Sequence, residues 1–199
     1  MTRSPWAREY ARTPKEYIWG REPSAFAREV GVWLWPGARV LELGCGEGRD
    51  SVFFAVRGCE VTGVDLSAAG LRKAERLARE HQVRVCWIHG DLARSAPGPP
   101  FDLVYSCGVI HYVPRRRRGP LLERLKTITR PGGYHAHLVF TDRAVYREKG
   151  EVVDYFASGE LASAYTDWLL LAREETMIDC AQDGNPHRHS VEQLIARAV

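Results

Sequence analysis

Apolar positions along this chain switch between two periods. In the stretch 24–34, Phe26, Val30, Trp33 and Leu34 fall at i, i+4, i+7 and i+8, one face of a helix that Pro23-Ser24 opens and Pro36-Gly37 ends. Ala38–Leu43 then runs almost wholly apolar, as a parallel strand covered on both faces does. The alternation repeats. A helix over Arg49–Arg57 is closed by Gly58, and a strand over Glu60–Asp65 follows. Ser67 caps a helix over Ala68–His81, and Val83–His89 makes a third strand. Phe101–Ser106 is a fourth strand, a helix is predicted near Gly119–Thr129, and Pro131-Gly132-Gly133 turns into a fifth strand, Tyr134–Thr141. Strand and helix alternating from residue 22 to 141 predict a doubly wound, mostly parallel sheet.

Both ends of the chain depart from this rhythm. Residues 1–21 show no period; Trp6, Tyr10, Tyr17 and Trp19 stand among arginines, and such large rings in an irregular arm require burial against the domain or over a ligand. The last third predicts a helix over Gly159–Leu170, a strand over Ala172–Cys180, a hairpin turn at Asp183-Gly184-Asn185 and a final strand over Ser190–Ala198. The parallel core therefore ends in an antiparallel hairpin. With 199 residues and no internal repeat, one domain is expected over 1–199.

Composition narrows the class. The chain has 45% hydrophobic and 27% charged residues, a globular balance, and no run of about 18 apolar residues that spans a membrane. The opening Met1–Trp6 lacks the apolar core of a signal peptide. The five cysteines, Cys45, Cys59, Cys86, Cys107 and Cys180, form no C-x-x-C pair and read as free thiols in a reducing compartment, so a cytoplasmic location is expected. The net charge of +3 does not imply nucleic acid. The run Arg115–Arg118 reads first as a solvated helix start, with a phosphate-contacting patch as the alternative.

The chemistry concentrates where the first strand ends. Gly44-x-Gly46-x-Gly48-Arg49 opens a helix, but a dinucleotide fold needs G-x-G-x-x-G so that a pyrophosphate can approach the helix start. Here the third glycine is displaced and Arg49 stands in its place. Glu42 lies just before the loop and suits a ligand amine; Asp65, 17 residues past Gly48, is placed to accept both ribose hydroxyls; Asp91, after the third strand, can accept from an adenine amine. A ligand with amine, ribose and adenine but no phosphate is S-adenosyl-L-methionine, with S-adenosyl-L-homocysteine as its product.

On these segments the chain resembles the class I S-adenosylmethionine-dependent methyltransferases. Val40–Gly48 is similar to their first motif, Val61–Ser67 to the ribose segment, Gly90-Asp91-Leu92 to the adenine segment, Phe101–His111 to the strand-four motif and Leu125–Gly133 to the loop before strand five. The resemblance implies a Rossmann-like three-layer α/β/α sandwich whose seven-stranded sheet is mostly parallel with an antiparallel C-terminal strand. It carries Cys45, Leu66, Leu92 and Cys107 into the cofactor site beside the acids and glycines. A narrower resemblance, to the tellurite-resistance (TehB-type) branch, rests on Tyr17-Ile-Trp-Gly-Arg21, Gly48-Arg-Asp-Ser51 and Phe156-Ala-Ser-Gly-Glu160. It implies an arm in which Tyr17, Trp19 and Arg21 fold over the cofactor, Arg21 pairing with its carboxylate. That branch's substrate-side His-Arg pair would fall near Ile178-Asp179, and its later arginine near Pro186; neither matches.

Methyl transfer from a sulfonium is an in-line displacement needing alignment and exclusion of water more than a base. His111, just past strand four, is the candidate catalytic side chain; the alternative is a histidine hydrogen-bonded at a loop edge. His135-x-His137 and His187-x-His189 each put two imidazoles on one strand face, yet no third ligand is spaced for a metal, and none is expected. The expected function is methyl transfer to a small-molecule acceptor: a thiol, an oxyanion or metalloid, or a hydroxyl. The rivals are a nucleic-acid or protein methyltransferase using Arg115–Arg118, a nicotinamide oxidoreductase and a non-catalytic cofactor-binding protein. Ser106-Cys-Gly-Val109 stands where base-amine methylation brings Asn/Asp-Pro-Pro-Tyr, so nucleic acid is not the expected partner.

Overall fold

The computed structural model describes residues 5–91, 98, 100–146, 153–181 and 184–199. A helix α1 (Pro5–Arg12) precedes α2 (Ala25–Gly31), β1 (Arg39–Leu43), α3 (Arg49–Val56), β2 (Glu60–Asp65), α4 (Ala68–Glu80), β3 (Cys86–His89) and β4 (Phe101–Cys107). A single 3-10 turn (Ile110–Tyr112) leads into α5 (Arg115–Thr127), then β5 (Thr129–Phe140), α6 (Glu160–Ser163), β6 (Leu169–Cys180) and β7 (His187–Arg197). The seven strands lie in the order β3-β2-β1-β4-β5-β7-β6. The strands β1 to β5 pair in parallel, while β7 runs antiparallel to both β5 and β6. The expected sheet, mostly parallel with one antiparallel C-terminal strand, is the one observed.

Alternation along the buried strands builds the layers. Val40, Leu103 and Tyr105 pack with Phe26, Val30 and Phe54 on one face, while Leu41, Leu43 and Val104 pack with Leu121, Leu125 and Phe156 on the other. Ser67 Oγ accepts from Gly70 N at 3.1 Å and Ser24 Oγ from Ala27 N at 3.0 Å, so both helix starts carry side-chain caps, each contributing about 1 kcal/mol.

Expected boundaries move at seven places. Strand β3 starts at Cys86 rather than Val83, and β5 starts at Thr129 rather than Tyr134, so the expected Pro131-Gly132-Gly133 turn lies inside a strand, absorbed by a register shift against β4. The arm is helical over α1, because Trp6 and Tyr10, four apart, both turn into the domain and are buried. Helix α2 stops at Gly31, leaving Trp33 and Trp35 partly exposed on the link to β1. Helix α5 begins at Arg115 because Pro114 supplies its N-cap residue. The expected Gly159–Leu170 helix shrinks to one turn: Tyr165 is buried, and Leu169, Leu170 and Leu171 belong to the edge strand β6. Finally, β7 starts at His187 rather than Ser190, so both histidines of that His-x-His lie in a strand. Of the expected turn, Asp183 lies outside the described residues.

Candidate functional site

The strand order reverses between β1 and β4, and a cleft of about 270 Å³ opens at the carboxyl ends of these strands. That is where open α/β sheets bind ligands, because the loops on either side of the reversal diverge. Glu42, Gly44, Cys45, Gly46, Arg49 and Asp65 line one side, with Trp19 above them. Cys107, Gly108 and Val109 supply the floor beyond β4, and Leu138, Phe140, Ile178, Cys180 and His189 the far wall.

The glycine loop keeps its own N–H groups busy. Gly44 N and Cys45 N donate to Val64 O at 2.7 and 3.2 Å, and Gly48 N donates to Cys45 O at 2.8 Å. Gly46 N donates to Asp65 Oδ2 at 2.9 Å, and Ser67 N to Oδ1 at 2.7 Å. A pyrophosphate cradle needs those N–H groups free and aimed outward. The loop therefore presents carboxylates where a dinucleotide site presents donors. At Gly44, with φ +65°, a Cβ would lie 2.2 Å from Val109 Cγ2, so the turn closes only with glycine.

Acids dominate the lining. Burial, then the neighbouring Asp50, pushes the Glu42 carboxyl well up, while Ser51 Oγ donates to it. Burial also raises Asp65, opposed by its two backbone donors. Asp50 is held by Ser24 N at 2.7 Å, Ser24 Oγ at 2.8 Å and Tyr105 OH at 2.9 Å, which satisfies a carboxylate inside the core. Glu47 pairs with buried Lys73 at 2.7 Å, and Lys73 also donates to Thr13 Oγ1 in the arm.

An aromatic cap closes the mouth. Trp6 packs on Trp19 with centroids 4.6 Å apart and donates from Nε1 to Tyr112 OH at 2.7 Å, while Trp19 Nε1 donates to Tyr10 OH at 3.0 Å. Trp19 N donates to Glu47 Oε2, and Arg49 Nη1 donates to Trp19 O at 2.7 Å. Four rings thus stand over a cleft rich in carboxylates, a setting that attracts a cation by charge and by ring quadrupole together.

Six expected site residues do not line the cleft. Tyr17 OH donates to Lys73 O, and Arg21 is half-exposed, paired with Glu80 and stacked over Tyr17. Gly48 starts α3 at φ +83° with Ala74 packed against it. Leu66 is partly exposed, its carbonyl bonded to His89. Asp91, half-buried, follows β3, and the adjoining Leu92 lies outside the described residues.

His111, the sixth, is fully buried under Phe140, ring centroids 4.1 Å apart, and its Nδ1 accepts from Phe140 N at 3.3 Å. This is the loop-edge arrangement rather than a side chain facing the cleft. Cys107 lines the floor, but burial pushes its thiol up to about 12, so it offers packing rather than a thiolate.

The sequence reading missed Trp6, Tyr10, Tyr112, Phe140 and His189 as lining residues. The i, i+4 spacing of Trp6 and Tyr10 was a usable signal for an aromatic helix face. No spacing signal joins Phe140 to His189; strand pairing does. His135 and His137 are structural, bonded to Thr129 and Tyr165 and to Ser106, with burial depressing both. Arg118 is buried and, with the exposed Arg115, it binds Glu160, so one arginine of the basic run leaves the surface and a second is paired on it.

Residues 40–133, just under half of the chain, match the family described as "Methyltransferase domain". Among curated relatives, "Probable S-adenosyl-L-methionine-dependent methyltransferase TehB" of Haemophilus influenzae is 24% identical over 80% of this chain and 57% of its own length. The crystal structure of that TehB superposes with a TM-score of 0.79 at 22% identity, covering 88% of this chain and 62% of the other. "Hemagglutinin 1" of Eikenella corrodens is 28% identical over 70% of this chain and 46% of its own length. "Trans-aconitate 2-methyltransferase" of an Azoarcus strain is 37% identical over 48% of this chain and 36% of its own length. The chain spans between 36% and 62% of these relatives' length. No helix among the described residues is long and apolar enough to cross a membrane.

Proposed function

We propose that the chain transfers the methyl group of S-adenosyl-L-methionine to a small-molecule acceptor bound against the β6–β7 hairpin. One observation carries the reading: a cleft at the sheet's reversal point, lined by Glu42 and Asp65, capped by aromatic rings, with its glycine-loop N–H groups already spent. That arrangement suits a cationic nucleoside without phosphate and disfavours a dinucleotide. Glu42 takes the ligand amine, and Asp65 takes the ribose hydroxyls on lone pairs its two backbone donors leave open. Trp6, Trp19 and Tyr10 exclude water. When bound, the donor supplies an activated methyl on a sulfonium, so the protein's contribution is alignment within about 3–3.5 Å.

The pinning of Arg115 and Arg118 by Glu160 weakens the rival nucleic-acid reading. A name such as trans-aconitate 2-methyltransferase gives one relative a small organic acceptor and supports that class here. Calorimetry tests the reading: S-adenosylhomocysteine binds at one site per chain and NAD does not. Binding of NAD without S-adenosylhomocysteine would overturn it.

A further inference from the structure

The hairpin that forms the far wall of the cleft brings together three metal-binding side chains that the sequence holds apart. In an antiparallel ladder, residues directly opposite each other share a face, as do residues two apart on one strand. Cys180 pairs opposite His187, and Ile178 opposite His189. Cys180, His187 and His189 therefore project from one face of the β6–β7 ribbon, and their Sγ and ring nitrogens lie within 4.8 Å of one another. Sequence spacing offered two imidazoles without a third ligand; the register supplies it.

The second partners set the tautomer. His187 Nδ1 is 2.6 Å from Asn185 O, and a carbonyl only accepts, so Nδ1 carries the proton and the neutral ring turns its Nε2 lone pair outward. That Nε2 lies 2.9 Å from His189 Nε2. Tyr146 stacks on His187 with centroids 3.5 Å apart and Phe140 on His189 at 4.0 Å, so both rings are held in plane. Two nitrogens aimed at each other either share one proton or share one cation. Tetrahedral zinc with a thiolate and two imidazoles wants donors roughly 3.3–3.6 Å apart, a spacing reached here by small side-chain rotations.

We infer that Cys180, His187 and His189 bind a zinc-type divalent cation, and that its open fourth position presents a thiol acceptor to the donor methyl. Three protein ligands and one open position are the pattern of a catalytic rather than a structural zinc site. Cys180 and His189 line the cleft, while Cys180 and His187 line a shallower depression beside it, so the three ligands stand at the boundary of the two and the open position is reached from the cleft past Cys180 and His189. An acceptor thiol coordinated there gives its proton to solvent and stays as a metal-bound thiolate. Its sulfur then forms a bond to the methyl carbon. The bond from that carbon to the sulfonium breaks with its electron pair remaining on the donor sulfur, and the thioether product leaves the metal. The metal site stands on the hairpin alone; the thiol step rests on the proposed donor site.

Cobalt(II) titration of this chain tests this, because cobalt replaces zinc and reports its ligands. One equivalent should give tetrahedral visible bands and a thiolate charge-transfer band, and an added small thiol should shift the visible bands. Cys180→Ser should abolish the charge-transfer band, and His187→Gln should weaken cobalt binding at least about 100-fold. S-adenosylhomocysteine affinity is read on the same wild-type sample. Donor binding without cobalt bands overturns the metal site and leaves the donor reading standing. Cobalt bands without donor binding overturn the thiol step. Bands that survive Cys180→Ser place the ion elsewhere and overturn the assignment.

Discussion

The two ends of the cleft are built in opposite ways. On the donor side, Glu42, Gly44, Cys45, Gly46 and Arg49 come from one strand–turn–helix segment, and Asp65 from the strand beside it. On the proposed acceptor side, Phe140, Ile178, Cys180 and His189 come from three strands and meet only through register. The donor side is tied into the core by buried charge; the hairpin is an edge ribbon on which the ion pair of Arg188 with Asp179, at 3.3 Å, is exposed. A binding site that must hold one fixed cosubstrate is written locally and rigidly. A site that varies with the acceptor is carried on a ribbon that can change without disturbing the sheet.

The largest expected effect breaks the donor side. Lys73→Met leaves Glu47 buried without its cation, and should cost about 3–5 kcal/mol in urea unfolding. Arg188→Ala on the hairpin should cost under about 0.5 kcal/mol in the same experiment, because both partners sit in water. Equal losses would erase the contrast.

Asp65→Ala should weaken S-adenosylhomocysteine binding about 100-fold by calorimetry, roughly 2.7 kcal/mol for two charge-assisted hydrogen bonds and a disturbed loop. Arg21→Ala should change it less than about twofold, since Arg21 is occupied with Glu80.

Acidification should strain β5, which carries the structural histidines behind the acceptor side. Burial depresses His137 from an ordinary value near 6.5 to about 3, so below pH 6.5 the unfolded chain binds a proton the folded chain refuses. Its contribution is constant above about pH 6.5, falls by up to about 1.4 kcal/mol per pH unit as pH drops toward 3, and levels below that. His135 is depressed by the same cause and adds in the same direction. Asp65 and Glu42 are raised, so on the donor side acidification through their titration range favours the folded state. Urea midpoints between pH 7 and 5 should fall less steeply for His137→Gln than for the parent chain.

A smaller loss of binding than at Asp65 is expected at the cap. Tyr112→Phe removes the bond from Trp6 and should weaken S-adenosylhomocysteine about threefold to tenfold, in line with one neutral hydrogen bond of about 1 kcal/mol.

How much of this was legible follows the same divide. The alternation of strand and helix placed β1, β2, α4 and β4 within a residue or two, because their apolar runs are bounded by Gly, Pro or a serine cap. The antiparallel last strand was legible in the hairpin turn at Asp183-Gly184-Asn185, and the resemblance implied it as well. The donor acids could be read because each ends its own strand in sequence. The arm misled in part: of the noticed motif only Trp19 reaches the cleft, while Tyr17 and Arg21 do not, and Trp6 and Tyr10 reach it from the helix Pro5–Arg12. His111 misled for another reason, since a histidine after strand four looks the same in sequence whether its ring faces the cleft or sits beneath Phe140. Cys180 and His187 were seven residues apart with nothing to join them until the ladder register did.

The most direct test of the account is a crystal structure of the chain with S-adenosylhomocysteine. The account predicts the ribose hydroxyls on Asp65, the amine near Glu42, and the sulfur facing the wall of Phe140, Cys180 and His189. A ligand whose ribose lies away from Asp65, or whose sulfur turns from the β6–β7 hairpin, would contradict it.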